Sequence, residues 1–380
     1  MEFLFWFTVA SGVVTVVGYP LAIIALATLL PHRPEPPPQP LRATLLIAAH
    51  NEEACIAAKL ENALSQDVQP HQMSVVVVAD GCTDRTTAIV QANPDPRVSL
   101  FDSGVHLGKI AAMQKALESV GGDVVIFSDA NSLFAPGALR ALLNGFTTLR
   151  VGGVCGALAI ARRGSGWLGT AESLYWRYDN LLKKAESRLG GAVSAQGSLY
   201  AVRRDLLDTV PLSVADDFFI STQVVAAGKR LRFAPQAVTV EPVSNNTRGE
   251  FGRRVRSTER GWRGLLARRA LLNPLRTGAY AIQLLFHKVL RRTVPLMLAL
   301  TLVLSAVLAP QHWIYAVAFA VQGVFYGVAL GALAWPPLRR LPGATVAFFF
   351  VETQIAMALG LSRVALGLHS RRWVPVRDVG

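Results

Sequence analysis

The chain has 380 residues, 52% of them hydrophobic and only 17% charged, a balance too apolar for a wholly soluble protein. Its 38 basic and 25 acidic residues leave a net charge of +13, which suits anionic lipid headgroups or phosphorylated substrates. Nucleic acid is the disfavoured partner, because the basic residues crowd against apolar segments, as at Arg253-Arg254-Val255-Arg256, Arg268-Arg269 and Arg291-Arg292.

From the N-terminus, Phe3–Leu30 runs for 28 residues without a charge. As a helix it would be about 42 Å long, enough to cross a hydrocarbon core of ~30 Å. Only Glu2 precedes the run in place of a basic n-region, so residues 1–30 are expected to be an uncleaved transmembrane anchor. Arg33 and Arg42 follow it, which puts the N-terminus outside and the next domain in the cytosol. Residues 31–42 hold six prolines and read as a stiff polyproline-II linker.

Residues 43–248 alternate short apolar runs with helix-like stretches. Ala43–Ala49, Ser74–Asp80, Val98–Asp102, Asp123–Asp129 and Val151–Ile160 read as strands. Their nearly continuous β-branched runs suit a mostly parallel sheet buried on both faces. Helices are expected over Glu52–Ser65, Asp84–Ala92, Gly108–Val120 and Pro136–Leu149. The pattern is α/β, doubly wound, with ligands bound beyond the carboxyl ends of the strands. Polar residues gather at those ends: His50-Asn51-Glu52-Glu53, Asp80-Gly81-Cys82-Thr83-Asp84 and Ser128-Asp129-Ala130-Asn131. Any one group could be a helix cap. Acids at the ends of three strands on one sheet edge point instead to a ligand site. Cys55, Cys82 and Cys155 are far apart without metal-like spacing, and read as reduced packing residues.

Farther on, Asp216-Asp217 opens the helix-like stretch Phe218–Ala227. Acids in a first turn favour the helix dipole, so capping is one reading. The other is catalytic. Two adjacent acids ahead of Phe218-Phe219 would be partly desolvated, and their repulsion raises the pKa of one, fitting it to accept a proton.

These residues, in this order, resemble family 2 glycosyltransferases over roughly residues 43–270. Leu46-Ile47-Ala48-Ala49-His50-Asn51-Glu52-Glu53 resembles the opening motif, Val78-Ala79-Asp80-Gly81-Cys82-Thr83-Asp84 the second, and Leu107-Gly108-Lys109 the Gly-Lys element. Ser128-Asp129-Ala130-Asn131 stands where the family has DxD, and Asp216-Asp217 where it has Glu-Asp or Asp-Asp. The resemblance implies a GT-A-like fold and an inverting transfer from a nucleotide-diphosphate sugar, with a UDP-sugar as the default donor. Glu52, Asp80, Lys109, Asp129 and Arg260 are then the donor-binding residues. Asp129 and Asn131 hold a divalent cation (Mg2+ or Mn2+), Asn131 standing where the family has a second acid. Asp217 is the base with Asp216 in support, and Gln196 and Gly197 line the acceptor side. For Lys109 the alternative is a solvated lysine at a helix start.

Residues 249–292 read as basic amphipathic helices at the membrane interface. Processive members of the family carry QxxRW here, whereas this chain has Ser257-Thr258-Glu259-Arg260-Gly261-Trp262, without the Gln and with Trp262 displaced by one position. Trp262 is the candidate for stacking on an acceptor sugar. Residues 293–370 are expected to hold C-terminal transmembrane segments. Val294–Ala309 is 16 residues long and spans only if the preceding helix runs into it. Trp313–Trp335 has interfacial aromatics at both ends, and Thr345–Leu368 carries Glu352, Gln354 and Arg363. A basic tail, 371–380, closes the chain. The expected protein is thus a multi-pass enzyme of the inner membrane with a cytosolic catalytic domain. Its acceptor would be a membrane lipid or a growing glycan. A processive exopolysaccharide synthase and an inactive nucleotide-sugar-binding scaffold are the competing readings.

Overall fold

The structure, a computed structural model, describes residues 1–31, 36–161, 167–241 and 247–369. The α/β domain is built from strands β1 (Arg42–Ala49), β2 (Gln72–Ala79), β3 (Val98–Asp102), β4 (Val124–Asp129), β5 (Leu133–Phe134), β6 (Val151–Ile160), β7 (Tyr200–Arg203) and β8 (Arg230–Glu241). They form one sheet in the order β3-β2-β1-β4-β7-β6-β8-β5. β1 to β4 pair in parallel, as their continuous apolar runs predict. β7 is antiparallel to both β4 and β6, so the second half of the sheet is mixed. β5, β7 and β8 are additions to the expected set. β5 and β7 are too short to show a period, and β8 alternates buried and exposed positions instead of running continuously apolar.

The N-terminal helix, α1 (Glu2–Val13), passes through a π turn into α2 (Tyr19–Leu29). Helices α3 (Ile56–Leu64), α4 (Thr86–Gln91) and α5 (Lys109–Ser119) follow β1, β2 and β3, and α6 (Ala138–Leu143) follows β5. All four start later than expected because the polar residues after each strand are spent on turns that face the sheet edge. α7 (Trp167–Leu189) and α8 (Asp216–Ala226) complete the domain. Both sheet faces are covered. Leu45, Ile47, Val75 and Ile126 pack with Leu60 and Leu142 on one side, and Leu46, Val125 and Phe127 with Met113, Ala116 and Val224 on the other.

α9 (Thr247–Ala267) and the short α10 (Pro274–Thr277) lead to α11 (Ala279–Leu284), which continues through a π turn into α12 (Arg291–Leu308). α13 (Trp313–Ala334) and α14 (Pro342–Ala365) follow. Among the described residues, four helices are long and apolar enough to cross a membrane: Glu2–Leu29, Ala279–Leu308, Trp313–Ala334 and Gly343–Ala365. The apolar segment from Val294 is therefore carried on a helix that begins at Ala279, inside the stretch assigned to interfacial helices. The basic tail at 371–380 lies outside the described residues, as do residues 32–35 of the linker.

The polar residues of α14 are turned to α9. Arg363 Nε lies 3.0 Å from Glu259 Oε2, Arg254 donates to Thr353 Oγ1, and the Arg254 guanidinium stacks 4.4 Å from the Phe349 ring. Gly360 permits this approach, since a Cβ there would stand 2.6 Å from Thr258 Cβ. A second tie joins α2, α7 and α11–α12. Tyr19 donates to Glu186 (2.5 Å), His287 bridges Glu186 (2.8 Å) and Asp179 (3.3 Å), and Lys183 pairs with Asp179 at 3.0 Å. These groups are almost wholly buried, so the apolar helices are keyed to the α/β domain by polar groups matched in place.

Candidate active site

β2 ends at Asp80, and its carboxylate organises the loop that carries the lysine of the site. It accepts the N–H groups of Leu107 (2.7 Å) and Gly108 (2.9 Å), and His106 Nδ1 lies 3.0 Å away. Asp80 is 3% exposed. Gly81 takes φ +59°, and a Cβ on it would stand 2.3 Å from the His106 nitrogen, so only glycine lets the two loops close. His50 Nδ1 faces the Asp80 carbonyl at 2.6 Å, and the two imidazoles stack with centroids 4.1 Å apart. His50, Asp80 and His106 are close enough to hold an ion. The Asp80 oxygens, however, are already taken by N–H groups. Glu52 anchors its own loop, its N–H donating to Thr86 Oγ1 at 2.7 Å and its carboxylate accepting from Cys55.

The loop fixed by Asp80 starts α5 at Lys109. Its ammonium reaches Asp129 Oδ1 (2.8 Å) and Asp216 Oδ2 (3.0 Å). The residue is therefore no solvated lysine: its side chain is 16% exposed and ties the end of β4 to the start of α8. Burial pulls its pKa down, but the two carboxylates more than reverse this and hold it above the ordinary lysine range. Burial pushes Asp216 up, and Lys109 overrides it, holding Asp216 below the usual carboxylate range. Asp217 goes the other way. Burial first, and Asp216 second, raise it above that range, while its Oδ1 accepts the Phe218 N–H at 2.7 Å. Adjacent acids are thus displaced in opposite directions, Asp216 held as an anion and Asp217 pushed toward its protonated form.

Gly197 borders this cluster, where a Cβ would stand 3.3 Å from Asp129 Oδ2 and 3.8 Å from Lys109 Nζ. The neighbouring Gln196 has a buried Oε1 without a hydrogen-bond partner. Behind Asp129 lies Lys59, 0% exposed, which the sequence reading did not single out. Its ammonium donates to Ser128 Oγ (2.8 Å) and to the Ser132 carbonyl, and lies 3.6 Å from the Phe134 ring centroid. Burial lowers its pKa to about 7. A lysine at an apolar helical position was the signal available. Asn131 is exposed, and the structure gives it no place in the Lys109 cluster.

α9 closes the far side. The Arg260 carbonyl accepts the Ala215 N–H at 3.2 Å, directly before the acidic pair. The Arg260 side chain lines a cavity of about 210 Å³ with Leu212, Ser213, Glu259 and His369. Trp262 packs against the cluster of Phe218, Leu265 and Tyr280, and its indole N–H is buried without a partner. Gly264 lets α9 lie on Phe218, 2.8 Å from where its Cβ would be. The structure thus brings Asp129, Lys109, Asp216, Asp217 and Gly197 together, with Asp80 supporting the loop and Trp262 engaged in packing.

Residues 44–210 match the family model described as glycosyl transferase family 2. An N-acetylglucosaminyltransferase of Rhizobium meliloti (strain 1021) is 26% identical over 223 residues, 54% of this chain and 52% of that protein. A beta-monoglucosyldiacylglycerol synthase of Synechocystis sp. is 28% identical over 170 residues, 44% of this chain and 36% of that protein. The chain spans about half the length, or less, of these curated relatives. In fold it is similar to a mannosyltransferase from Pyrobaculum calidifontis solved in complex with GDP-Man and Mn2+. The TM-score is 0.70 at 23% identity, over 96% of this chain and 99% of that one. The fold is GT-A, with long apolar helices flanking the domain.

Proposed function

We propose, from the premise that residues 44–210 are a family 2 glycosyltransferase domain, that this chain is a membrane-bound inverting glycosyltransferase. It would move a sugar from a nucleotide-diphosphate donor, by default a UDP-sugar, to a lipid or glycan at the cytosolic face of the inner membrane. One observation carries the reading. Lys109 bridges Asp129, the proposed donor-side acid, and Asp216, beside the proposed base, so both halves of a displacement would meet at one charged cluster.

In this reading Asp217 takes the proton of the acceptor hydroxyl as its oxygen attacks the anomeric carbon. The bond to the nucleoside diphosphate then breaks on the opposite face. The upward displacement of Asp217 suits it to that task, and the ionised Asp216 keeps Lys109 in place. Lys109 and Arg260 would face the diphosphate, and Glu52 and Asp80 the base and ribose.

The residues present fit a divalent cation, Mg2+ or Mn2+. Asp129 Oδ1 is occupied by Lys109, but the missing side chain of Gly197 leaves room at Oδ2. Such an ion, completed by diphosphate oxygens with Asn131 nearby in sequence, would neutralise charge on the leaving group. Gln196 and Gly197 border the acceptor space. Trp262, packed against Phe218 and Leu265, supports a single transfer over processive polymerisation.

A donor screen on the purified chain tests the reading by following nucleoside diphosphate release from UDP-, GDP- and dTDP-sugars. Release from one donor class, abolished in Asp217→Asn, is the expected result. Release from none would favour the inactive nucleotide-binding alternative.

A further inference from the structure

Before it reaches its apolar stretch, the α11–α12 helix runs against the catalytic domain and carries His287, Lys288, Arg291 and Arg292. Two of these are partnered, since His287 lies against Glu186 and Asp179 and Arg291 pairs with Asp179. The other two make no ion pair or hydrogen bond among the described residues, although Arg292 Nη1 is sealed from solvent. Both act electrostatically on Asp217, the proposed base.

α9 is shaped to receive one of them. A Cβ at Gly261 would stand 2.3 Å from Arg292 Nη2 and 2.7 Å from its Cζ, so the guanidinium lies directly against the α9 backbone at this glycine. At Gly261, inside Arg260-Gly261-Trp262, α9 therefore seats a cation that arrives from another helix. Asp217 balances part of this charge, yet the buried Arg292 Nη1 keeps no hydrogen-bond partner among the described residues, so a phosphate oxygen from outside the chain is its natural complement. The cations stand just before the apolar run that begins at Val294, where lipid headgroups would lie.

We propose that Lys288 and Arg292 form a phosphate subsite for the acceptor, which is therefore a lipid carrying a phosphate or diphosphate beside its attacking hydroxyl. The inference rests on the transfer reading above. Arg292 offers a two-pronged donor set to phosphate oxygens and Lys288 a point charge. The phosphate is a docking group and not the nucleophile. The hydroxyl O–H breaks with its proton passing to Asp217, the glycosidic C–O bond forms, and the nucleoside diphosphate leaves. A glycerophospholipid and a sugar linked to polyprenyl diphosphate share this chemistry; neutral diacylglycerol lacks it.

The test offers the full chain in detergent its working donor with each of three acceptors: phosphatidylglycerol, a polyprenyl diphosphate bearing one sugar, and diacylglycerol. Turnover with a phosphorylated acceptor is expected, and the arm that turns over identifies the source. Arg292→Gln and Lys288→Gln should each raise the acceptor KM about tenfold or more, while the donor KM moves less than twofold. Arg292→Lys should recover part of the loss. Efficient use of diacylglycerol, or an acceptor KM unmoved in both Gln variants, overturns the subsite while leaving the transferase reading intact. If the wild type neither binds nor cleaves any nucleotide-sugar, that reading fails and the subsite falls with it. Should Arg292→Gln not fold, Lys288→Gln and the wild-type acceptor preference still decide.

Discussion

Removing the ammonium of Lys109 tests the centre of the site. It lies 2.8 Å from Asp129 and 3.0 Å from Asp216, with side-chain exposures of 16%, 36% and 18%. At an effective dielectric constant near 20, a unit pair ~3 Å apart is worth about 5 kcal/mol before solvation is counted. Asp129 is exposed enough for water to screen its share, and burying the ammonium offsets more. We expect Lys109→Met to cost about 2–3 kcal/mol of stability at neutral pH, the lower side of what breaking a buried pair costs.

The sign with pH follows from the shifts. Lys109 is held above its ordinary value, so its contribution is full below that value and is lost only at high pH. Asp216 is held below its ordinary value, so its contribution is present above that value and is lost on acidification. The penalty is therefore full near pH 7. Lys109 also draws Asp217 downward, so its loss raises the base further. The acid limb of kcat/KM should move to higher pH, and the plateau should fall about 100-fold. Thermal unfolding in detergent and a pH–rate profile measure both effects. Lys109→Arg should not restore the plateau, because a planar fork cannot replace a point charge between two carboxylates. Wild-type activity in Lys109→Met with an unmoved acid limb would refute the reasoning.

Three further outcomes are expected. Asp217→Asn should lower kcat by about 10²–10⁴ with a small change in donor KM, as steady-state kinetics would record. Gly360→Ala should lower stability by about 1–3 kcal/mol in a thermal melt, since its Cβ would meet Thr258 Cβ at 2.6 Å and the Val255 carbonyl at 2.9 Å, neither a flexible side-chain end. Lys59→Met should remove a rise in stability with pH. The wild-type lysine, lowered to about 7, binds fewer protons folded than unfolded above that pH. Between pH 7 and 9 the wild type should therefore gain about 2 kcal/mol that the variant lacks, read from melting curves at the two pH values.

Much of this architecture is written locally. The β-branched runs of β1, β2 and β4 are continuous because both sheet faces are buried, and a stretch such as 44–48 carries that fact in its own composition. Asp80, Asp129 and Asp216-Asp217 announce themselves because polar residues interrupt apolar runs where strands end or helices start. The apolar helices are equally plain, since crossing a hydrocarbon core demands length and the absence of charge together.

What the sequence could not determine depends on partners distant along the chain. β7 and β8 take their places by pairing with β4 and β6, and β7 is too short to show a period of its own. Arg363 looked misplaced in an apolar segment, yet its partner is Glu259, 104 residues earlier. Lys109 becomes the bridge of the site only when Asp80 fixes its loop and α8 delivers Asp216 from over 100 residues away. The seat of the Arg292 guanidinium against Gly261 is likewise set by a residue that arrives from another helix. Composition and periodicity report what each segment must bury. Which charges meet is decided by tertiary packing, because an ion pair acts through space and leaves no mark on the local pattern of either partner.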